Sequence, residues 1–184
     1  MNLLINKILL FAAILIFAYS TGVAQDVYYT TGANLKINAE MNGKPLHLQT
    51  NELGAMLNYE TAYIVIRFPI KSLKTGVDSL DNILQRSNSE AVFDGKLGLE
   101  YVNTQDHPPM KFSTEGWLTV GNSKTLVQGK GELHHVGNTT KYACMLGMTM
   151  QLGFDELNIE LPISGLENEF EVVITQELLQ SDKN

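Results

Sequence analysis

Cysteine is almost missing from this sequence of 184 residues, and Cys144 is the only one. An internal disulfide is therefore excluded. Burial of apolar side chains must hold the fold together, and a chain of this length can bury enough of them. Cys144 lies in an apolar stretch, so we expect a small buried hydrophobic side chain and not a nucleophile.

Positive charge is also scarce in this chain. It has 13 lysine and arginine residues against 20 aspartate and glutamate residues, a formal net charge of −7. Nucleic acids and anionic lipid surfaces attract proteins with concentrated positive charge. The balance therefore argues against both as partners, and an acidic surface mainly implies solubility.

Sequence motifs of known catalytic sites are lacking as well. The chain has no Gly-x-Ser-x-Gly elbow, no His-Glu-x-x-His pair and no phosphate-cradling glycine loop. His134 and His135 suggest a metal site, with Glu132 or His107 as further ligands. Adjacent strand residues point to opposite faces, however, and a zinc site needs three or four ligands. We expect no metal, no cofactor and no enzyme activity.

The one long apolar run lies near the N-terminus, after Lys7 and before the small residues Gly22-Val23-Ala24. These are the three parts of a secretory signal peptide, and we expect cleavage after Ala24. The run is shorter than the roughly 20 apolar residues of a membrane span, although a retained anchor is the alternative. The prediction is a signal peptide over residues 1–24 and a single domain over 25–184, exported to a bacterial periplasm and not integral to the membrane.

Alternation of apolar and polar residues predicts most of the domain as strands with one buried face. Asn34–Asn51 reads as a hairpin whose turn is Asn42-Gly43, because both turn residues must adopt positive φ. Ala55–Leu73 is predicted to carry one or two longer strands, since Tyr63–Pro69 within it is rich in β-branched and aromatic residues. Further strands are predicted over Met110–Val120, Leu126–Leu133, Cys144–Leu152, Leu157–Ile163 and Phe170–Leu178.

One segment shows helical spacing. Leu80, Ile83 and Leu84 lie at i, i+3 and i+4, which predicts a short helix over Ser79–Arg86 at one end of the sheet. Asp78 or Ser79 is expected to cap this helix. The following stretch, residues 91–99, fits either a continued helix or a strand broken at Asp94-Gly95.

About eight alternating strands joined by turns indicate an all-β sandwich or a closed antiparallel barrel with one short helix. Closure removes exposed sheet edges. An eight-stranded barrel has room inside for one small apolar ligand. The sequence does not give the oligomeric state, and a homodimer is one open alternative.

Two stretches resemble the YceI-like family. The first is Tyr101-Val102-Asn103 with Pro108 and Phe112. The second combines a valine-x-glycine strand with a "G-x-L-x-x-x-G-x-T" turn, carried by Val127, Gly129, Gly131, Leu133, Gly137 and Thr139. Val136 stands where the family usually has histidine, so the chain resembles a divergent member. The resemblance implies an exported lipocalin-like barrel that holds a polyisoprenoid, a quinone or a related amphiphile in its lumen.

Within the resembling stretches, Tyr101 is expected to dock its ring in the core at a strand end, and the barrel mouth is the alternative position. Alternation and the resemblance together predict a lipid-binding lining on the inward faces of the strands. The candidates are Ile64, Ile66, Phe68, Phe112, Leu118, Leu133, Leu146, Met148, Met150, Ile159, Leu161, Val172 and Ile174. The competing hypothesis is a lumen filled by side chains, in a structural or stress-related interaction module of the envelope.

Overall fold

Each strand of the chain is hydrogen-bonded to the next, and the last returns to the first. The structure, a computed structural model, describes residues 27–102, 108–136, 142–159 and 163–181. Within these ranges eight antiparallel strands close into a barrel with one short α-helix, which confirms the predicted architecture. The elements are β1 (Val27–Met41), β2 (Lys44–Asn58), β3 (Tyr63–Pro69), α1 (Asp78–Gln85), β4 (Glu90–Leu97), β5 (Met110–Val120), β6 (Ser123–His135), β7 (Tyr142–Gly153) and β8 (Glu169–Ser181).

The antiparallel order places successive connections at alternate ends of the barrel. One end carries the β1–β2 turn, the segment 70–89 with α1 and the β5–β6 turn, and we call it the helical end. It also carries the described residues 154–159 and 163–168 of the β7–β8 connection, which together we call the loop 154–168. The opposite end carries the β2–β3 turn and the start of the loop that follows β4. The described family-like residues Tyr101 and Val102, which follow β4, lie at this opposite end.

The first hairpin forms as predicted. Asn42 and Gly43 have φ values of 53° and 69°, which places both central turn residues in the left-handed region. Such a turn matches the right-handed twist of the flanking strands. The register then pairs Ile37 with Leu48 and Ala39 with Leu46, so both strands present apolar side chains to the interior.

The predicted strand over Leu157–Ile163 is wrong in its described part. Asn158 has a φ of 52°, and its N–H donates to the carbonyl of Asp155 at 3.1 Å, which makes a turn and not a strand. The alternation of Leu157 with Ile159 arises because both side chains face inward from a loop. Residues 160–162, including Leu161, lie outside the described residues.

Strand β4 completes the set of eight strands. It lies in the stretch of residues 91–99, whose sequence fitted either a helix or a strand. Gly95 obscures the strand pattern because it combines with Asp94 to resemble a turn. In the barrel Gly95 pairs with Gly116 on β5. A Cβ at residue 95 would lie 2.6 Å from Cζ of Phe93 and 2.5 Å from the carbonyl oxygen of Glu115. The glycine is therefore required by close packing and not by a turn.

Helix α1 lies where it was predicted, but its N-terminal cap was predicted wrongly. The N-cap residue is Val77, which has an extended backbone and makes no side-chain cap hydrogen bond. Asp81 binds the segment that precedes the helix, because its carboxylate accepts hydrogen bonds from the backbone N–H and the hydroxyl of Thr75, each at 2.7 Å. The carboxylate therefore fixes the entry to the helix from within its first turn.

The expected docking of the Tyr101 ring is also wrong. Tyr101 is 58% exposed, whereas Val102 is buried and donates its N–H to the carbonyl of Tyr59 at 2.7 Å. The smaller Val102 side chain fits against a core that Tyr59 already fills. Asn103 and His107 lie outside the described residues.

Candidate functional site

A cavity of about 450 Å³ lies inside the barrel at its helical end. Inward side chains of β1, β2, β3, β4, β5, β7 and β8 form its wall, and α1 and the loop 154–168 cover it. The apolar lining residues are Leu35, Ile37, Ala39, Leu46, Leu48, Ile66, Phe68, Ile70, Leu73, Leu80, Leu84, Ala91, Phe93, Leu118, Val120, Met148, Met150, Leu152, Phe154, Leu157, Ile159, Ile163, Leu166, Phe170, Val172 and Ile174.

The predicted lining residues divide into those that reach the cavity and those that do not. The ones on the cavity wall are Ile66, Phe68, Leu118, Met148, Met150, Ile159, Val172 and Ile174. Ile64, Phe112, Leu133 and Leu146 face inward as predicted but are packed in the core nearer the opposite end, with at most 5% of their surface exposed. Contact of any of them with a lipid stays a prediction.

Several cavity residues were missed by the sequence reasoning. Leu35, Ile37 and Ala39 alternate as clearly as the predicted set and could have been included. Leu80 and Leu84 showed helical spacing, which indicated a buried helix face but not the surface that this face covers. Leu166 lies in an irregular loop and gave no periodic signal.

Helix α1 covers the cavity with one face. Leu80 and Leu84 are buried and line the cavity, whereas Ile83 on the same helix is 37% exposed. The segment that carries the helix is joined to the barrel at both ends. The N–H of Ile70 donates to the carbonyl of Ser89 at 3.0 Å. Lys74 and Gln49 exchange two backbone hydrogen bonds of 2.9 Å.

The polar groups at the cavity are neutral and come from its rim. They belong to Thr75, Ser87, Ser89, Asn122, Ser123 and Asn158. Ser123 donates its hydroxyl to the carbonyl of Leu157, which holds the loop 154–168 against the β5–β6 turn. Among the described residues that line the cavity, none is charged.

The opposite half of the barrel is filled by side chains. The Tyr59 ring is 2% exposed and stacks on the Tyr28 ring, with centroids 4.1 Å apart. Burial raises the pKa of the Tyr59 hydroxyl well above its ordinary value, and the neighbouring Cys144 thiol adds to the shift. Burial also raises the pKa of Cys144. Its thiol is fully buried, which confirms the prediction of a small hydrophobic side chain.

The side chains of His134 and Glu132 on β6 are in contact. Nε2 of His134 lies 3.1 Å from Oε2 of Glu132, and Nζ of Lys111 lies 3.6 Å from Oε1 of the same glutamate. The lysine and the glutamate are well exposed, so these are surface contacts of small energy. In the described part of the chain, no three histidine, cysteine, aspartate or glutamate side chains are grouped so that they could hold a metal ion.

Comparison with known proteins gives a likeness in structure without one in sequence. No family model matches the chain, and no curated protein matches it. None of the described helices has the length and apolar character needed to cross a membrane.

Two solved structures share the fold. A polyisoprenoid-binding domain from Saccharophagus degradans, implicated in plant cell wall breakdown, superimposes with a TM-score of 0.63 at 8% identity, over 85% of this chain and 98% of that one. BcnA from Burkholderia cenocepacia superimposes with a TM-score of 0.60 at 11% identity, over 82% of this chain and 96% of that one. The likeness confirms the barrel fold that the sequence resemblance implies.

Proposed function

We propose that this protein is a divergent YceI-like binding protein that sequesters an isoprenoid-like lipid or quinone in the cavity at the helical end. The observation that carries the proposal is an apolar cavity of about 450 Å³ with neutral polar groups only at its rim. Ligand pockets in proteins commonly measure about 300–1,000 Å³ and combine an apolar wall with a few polar groups. The polyisoprenoid-binding domain of S. degradans has the same fold, which supports this class of ligand.

The mechanism is transfer of an apolar tail from water to the apolar wall. Each buried methylene contributes about 0.8 kcal/mol, so a tail of about ten methylenes gains about 8 kcal/mol before the cost of ordering the ligand. The barrel frame supplies a preformed wall, which reduces the ordering cost. No proton transfer or bond cleavage is needed, and we propose a binding role without catalysis.

Export completes the proposal. A cleaved signal peptide over residues 1–24 would deliver a domain over residues 25–184 to the periplasm. In this aqueous compartment the protein would shield the apolar tail of a lipid from water. The support is the order of Lys7, the apolar run and Gly22-Val23-Ala24 in the sequence. N-terminal sequencing of the protein from its own host checks the cleavage after Ala24, and an uncleaved N-terminus would contradict it.

The test of binding is native mass spectrometry and solvent extraction of protein purified from its own host. We expect a co-purifying neutral lipid. Ala91→Phe places a ring in the cavity, because Ala91 lines it, and should abolish lipid retention. Val92→Phe is the matched control, since Val92 is the next residue on β4 and faces outward. Repeated absence of lipid from the native protein, or full retention by Ala91→Phe, would contradict the proposal.

A second candidate is a structural or interaction module of the envelope without a lipid ligand. Two observations favour it: the packed half of the lumen and an apolar pair on the outer wall. Trp117 and Leu126 face each other across β5 and β6 and are 46% and 50% exposed. Under this candidate, Met148→Ala and Met150→Ala would lower stability and leave the binding of added lipid unchanged. Under the lipid-carrier proposal they would weaken it.

A further inference from the structure

We infer that the ligand is a short amphiphile with an uncharged head, and that Leu146 and Ile64 set the length of its tail. The inference rests on the proposed function, because it names the kind of lipid that the same cavity accepts. It depends on where the cavity ends within the barrel and on which groups surround its mouth.

The cavity ends at the same level on facing strands. On β7, Leu152, Met150 and Met148 line it, and Leu146, the next inward residue, does not. On β3, Phe68 and Ile66 line it, and Ile64 does not. Leu146 and Ile64 are both fully buried, so their side chains close the floor of the cavity.

Buried side chains pack the layer at and below this floor. Leu146 pairs with Leu133 across the β6–β7 ladder, and Leu133 is also fully buried. The ring of Phe112 fills the space above Gly131, which pairs with Met148. A tail cannot continue into the opposite half of the barrel unless these side chains are displaced, and closely packed cores resist such displacement.

The volume sets the size of the buried part of the ligand. The cavity of about 450 Å³ lies in the lower half of the range that is usual for ligand pockets, about 300–1,000 Å³, so the buried tail is short. We take a farnesyl group as its expected size. A longer tail would have to leave its remainder at the mouth, in contact with water.

The rim selects a neutral head. Ser89 and Gly121 adjoin, because a Cβ at residue 121 would lie 3.4 Å from the Ser89 hydroxyl oxygen. Ser89, Asn122 and Asn158 present hydroxyl and amide groups to the mouth. No basic side chain is present among the described lining residues. An anionic head that packs against this rim would therefore lose part of its water without gaining a cation, which is costly.

The experiment measures the Kd of the delipidated protein for geraniol, farnesol, geranylgeraniol and solanesol, and for farnesyl phosphate. We expect Kd to fall at least about tenfold from geraniol to farnesol, as further methylenes are buried, and then to level off. Farnesyl phosphate should bind at least about tenfold more weakly than farnesol, because its charge is unpaired at the rim.

Two leucine variants test the floor. Leu146→Ala opens space for about three carbon atoms directly below Met148, so geranylgeraniol should gain affinity relative to farnesol instead of levelling off. Leu179→Ala is the matched control, because Leu179 is equally buried but lies closer to the opposite end of the barrel. Ile64→Val, a smaller change at the same floor, gives the same direction of effect if Leu146→Ala does not fold.

The outcomes separate the inference from the proposed function. Solanesol binding far more tightly than farnesol, equal binding of farnesyl phosphate, or an unmoved plateau in both floor variants would overturn the inference and leave a lipid carrier. Failure of every isoprenoid to bind would overturn the proposed function, and the inference with it.

Discussion

The ring of Phe112 occupies the space that a side chain at residue 131 would need. A Cβ built on Gly131 would lie 2.5 Å from Cζ of Phe112 and would also collide with the carbonyl oxygen of Gly147. One obstacle is backbone, so movement of the ring alone cannot relieve the contact. Gly131 and Phe112 belong to the family-like stretches, and their spacing reflects this ring-over-glycine packing.

Gly131→Ala should therefore destabilise the barrel by about 1–3 kcal/mol, the usual cost of overpacking a core. Chemical denaturation checks this value. Gly54→Ala is the matched control, because a Cβ at residue 54 has its nearest neighbour at 3.8 Å. Equal stability of the two variants would contradict the packing described for Phe112.

The cover over the cavity gives a second prediction. Leu84→Ala should weaken the binding of farnesol about tenfold, because it removes apolar surface from the inner face of α1. Ile83→Ala changes the adjacent, exposed residue and should leave the affinity within about twofold, since a surface truncation has little effect. Isothermal titration calorimetry on both variants makes the comparison. An equal loss in both would mean that α1 does not touch the ligand.

The buried pair Tyr59 and Cys144 predicts lower stability in alkali. Burial raises both pKa values, so the folded protein holds both protons more tightly than the unfolded chain. The stabilisation is complete below the unfolded pKa values, about 8.5 for cysteine and 10 for tyrosine, and is lost as the pH rises above them. Each group should remove up to about 1.4 kcal/mol per pH unit in that range.

Denaturant titrations between neutral pH and about pH 10.5 test the alkaline effect. Tyr59→Phe should reduce the loss, since it removes the phenol while keeping the ring that stacks on Tyr28. It should cost little at neutral pH, because among the described residues the Tyr59 hydroxyl has no hydrogen-bonding oxygen or nitrogen partner. An unchanged alkaline slope in Tyr59→Phe combined with Cys144→Ala would contradict the assignment.

Asp81 predicts the opposite pH dependence for the segment that carries α1. Hydrogen bonds from the backbone N–H and hydroxyl of Thr75 lower the pKa of this carboxyl. Its contribution is therefore present above the unfolded pKa of about 3.9 and is lost as the pH falls below that value. Hydrogen-exchange protection, taken relative to the intrinsic exchange rate at each pH, should fall in residues 75–85 at a higher pH than in the barrel strands.

Asp81→Asn should cause the same loss of hydrogen-exchange protection in residues 75–85 at neutral pH. Asp78→Asn, which changes an exposed carboxylate on the same first turn, is the control and should not. If the two variants exchange alike, the contacts between Asp81 and Thr75 do not hold the segment.

The sequence predicted which face of each strand is buried, but it could not predict depth. Met148 and Leu146 give the same signal, since both are apolar and lie two residues apart on β7. Only one reaches the cavity, because the height at which the lumen is filled depends on neighbours such as Leu133 and Phe112. Those neighbours are distant in sequence, and alternation carries no information about them.

Irregular segments show the same limit. Asn158 adopts a positive φ between Leu157 and Ile159, so a run that alternates like a strand forms a loop. Gly95 has the opposite effect, because it makes a strand look like a turn. This residue, which is typical of turns, lies within β4, where close packing requires a glycine. Local preference predicted the Asn42-Gly43 turn well, because that geometry is determined by the two residues themselves.

The half-filled lumen has an evolutionary consequence. Substitutions around the cavity at the helical end remove few contacts from the packed half, which contains Leu133, Leu146 and Tyr59. Residues at the helical end can therefore be substituted during evolution, and the preference of the cavity for a ligand can change, while the fold persists. The described family-like residues Phe112, Gly131 and Leu133 belong to the packed half, so two descendants of one ancestor can keep the same recognisable motif while their cavities differ.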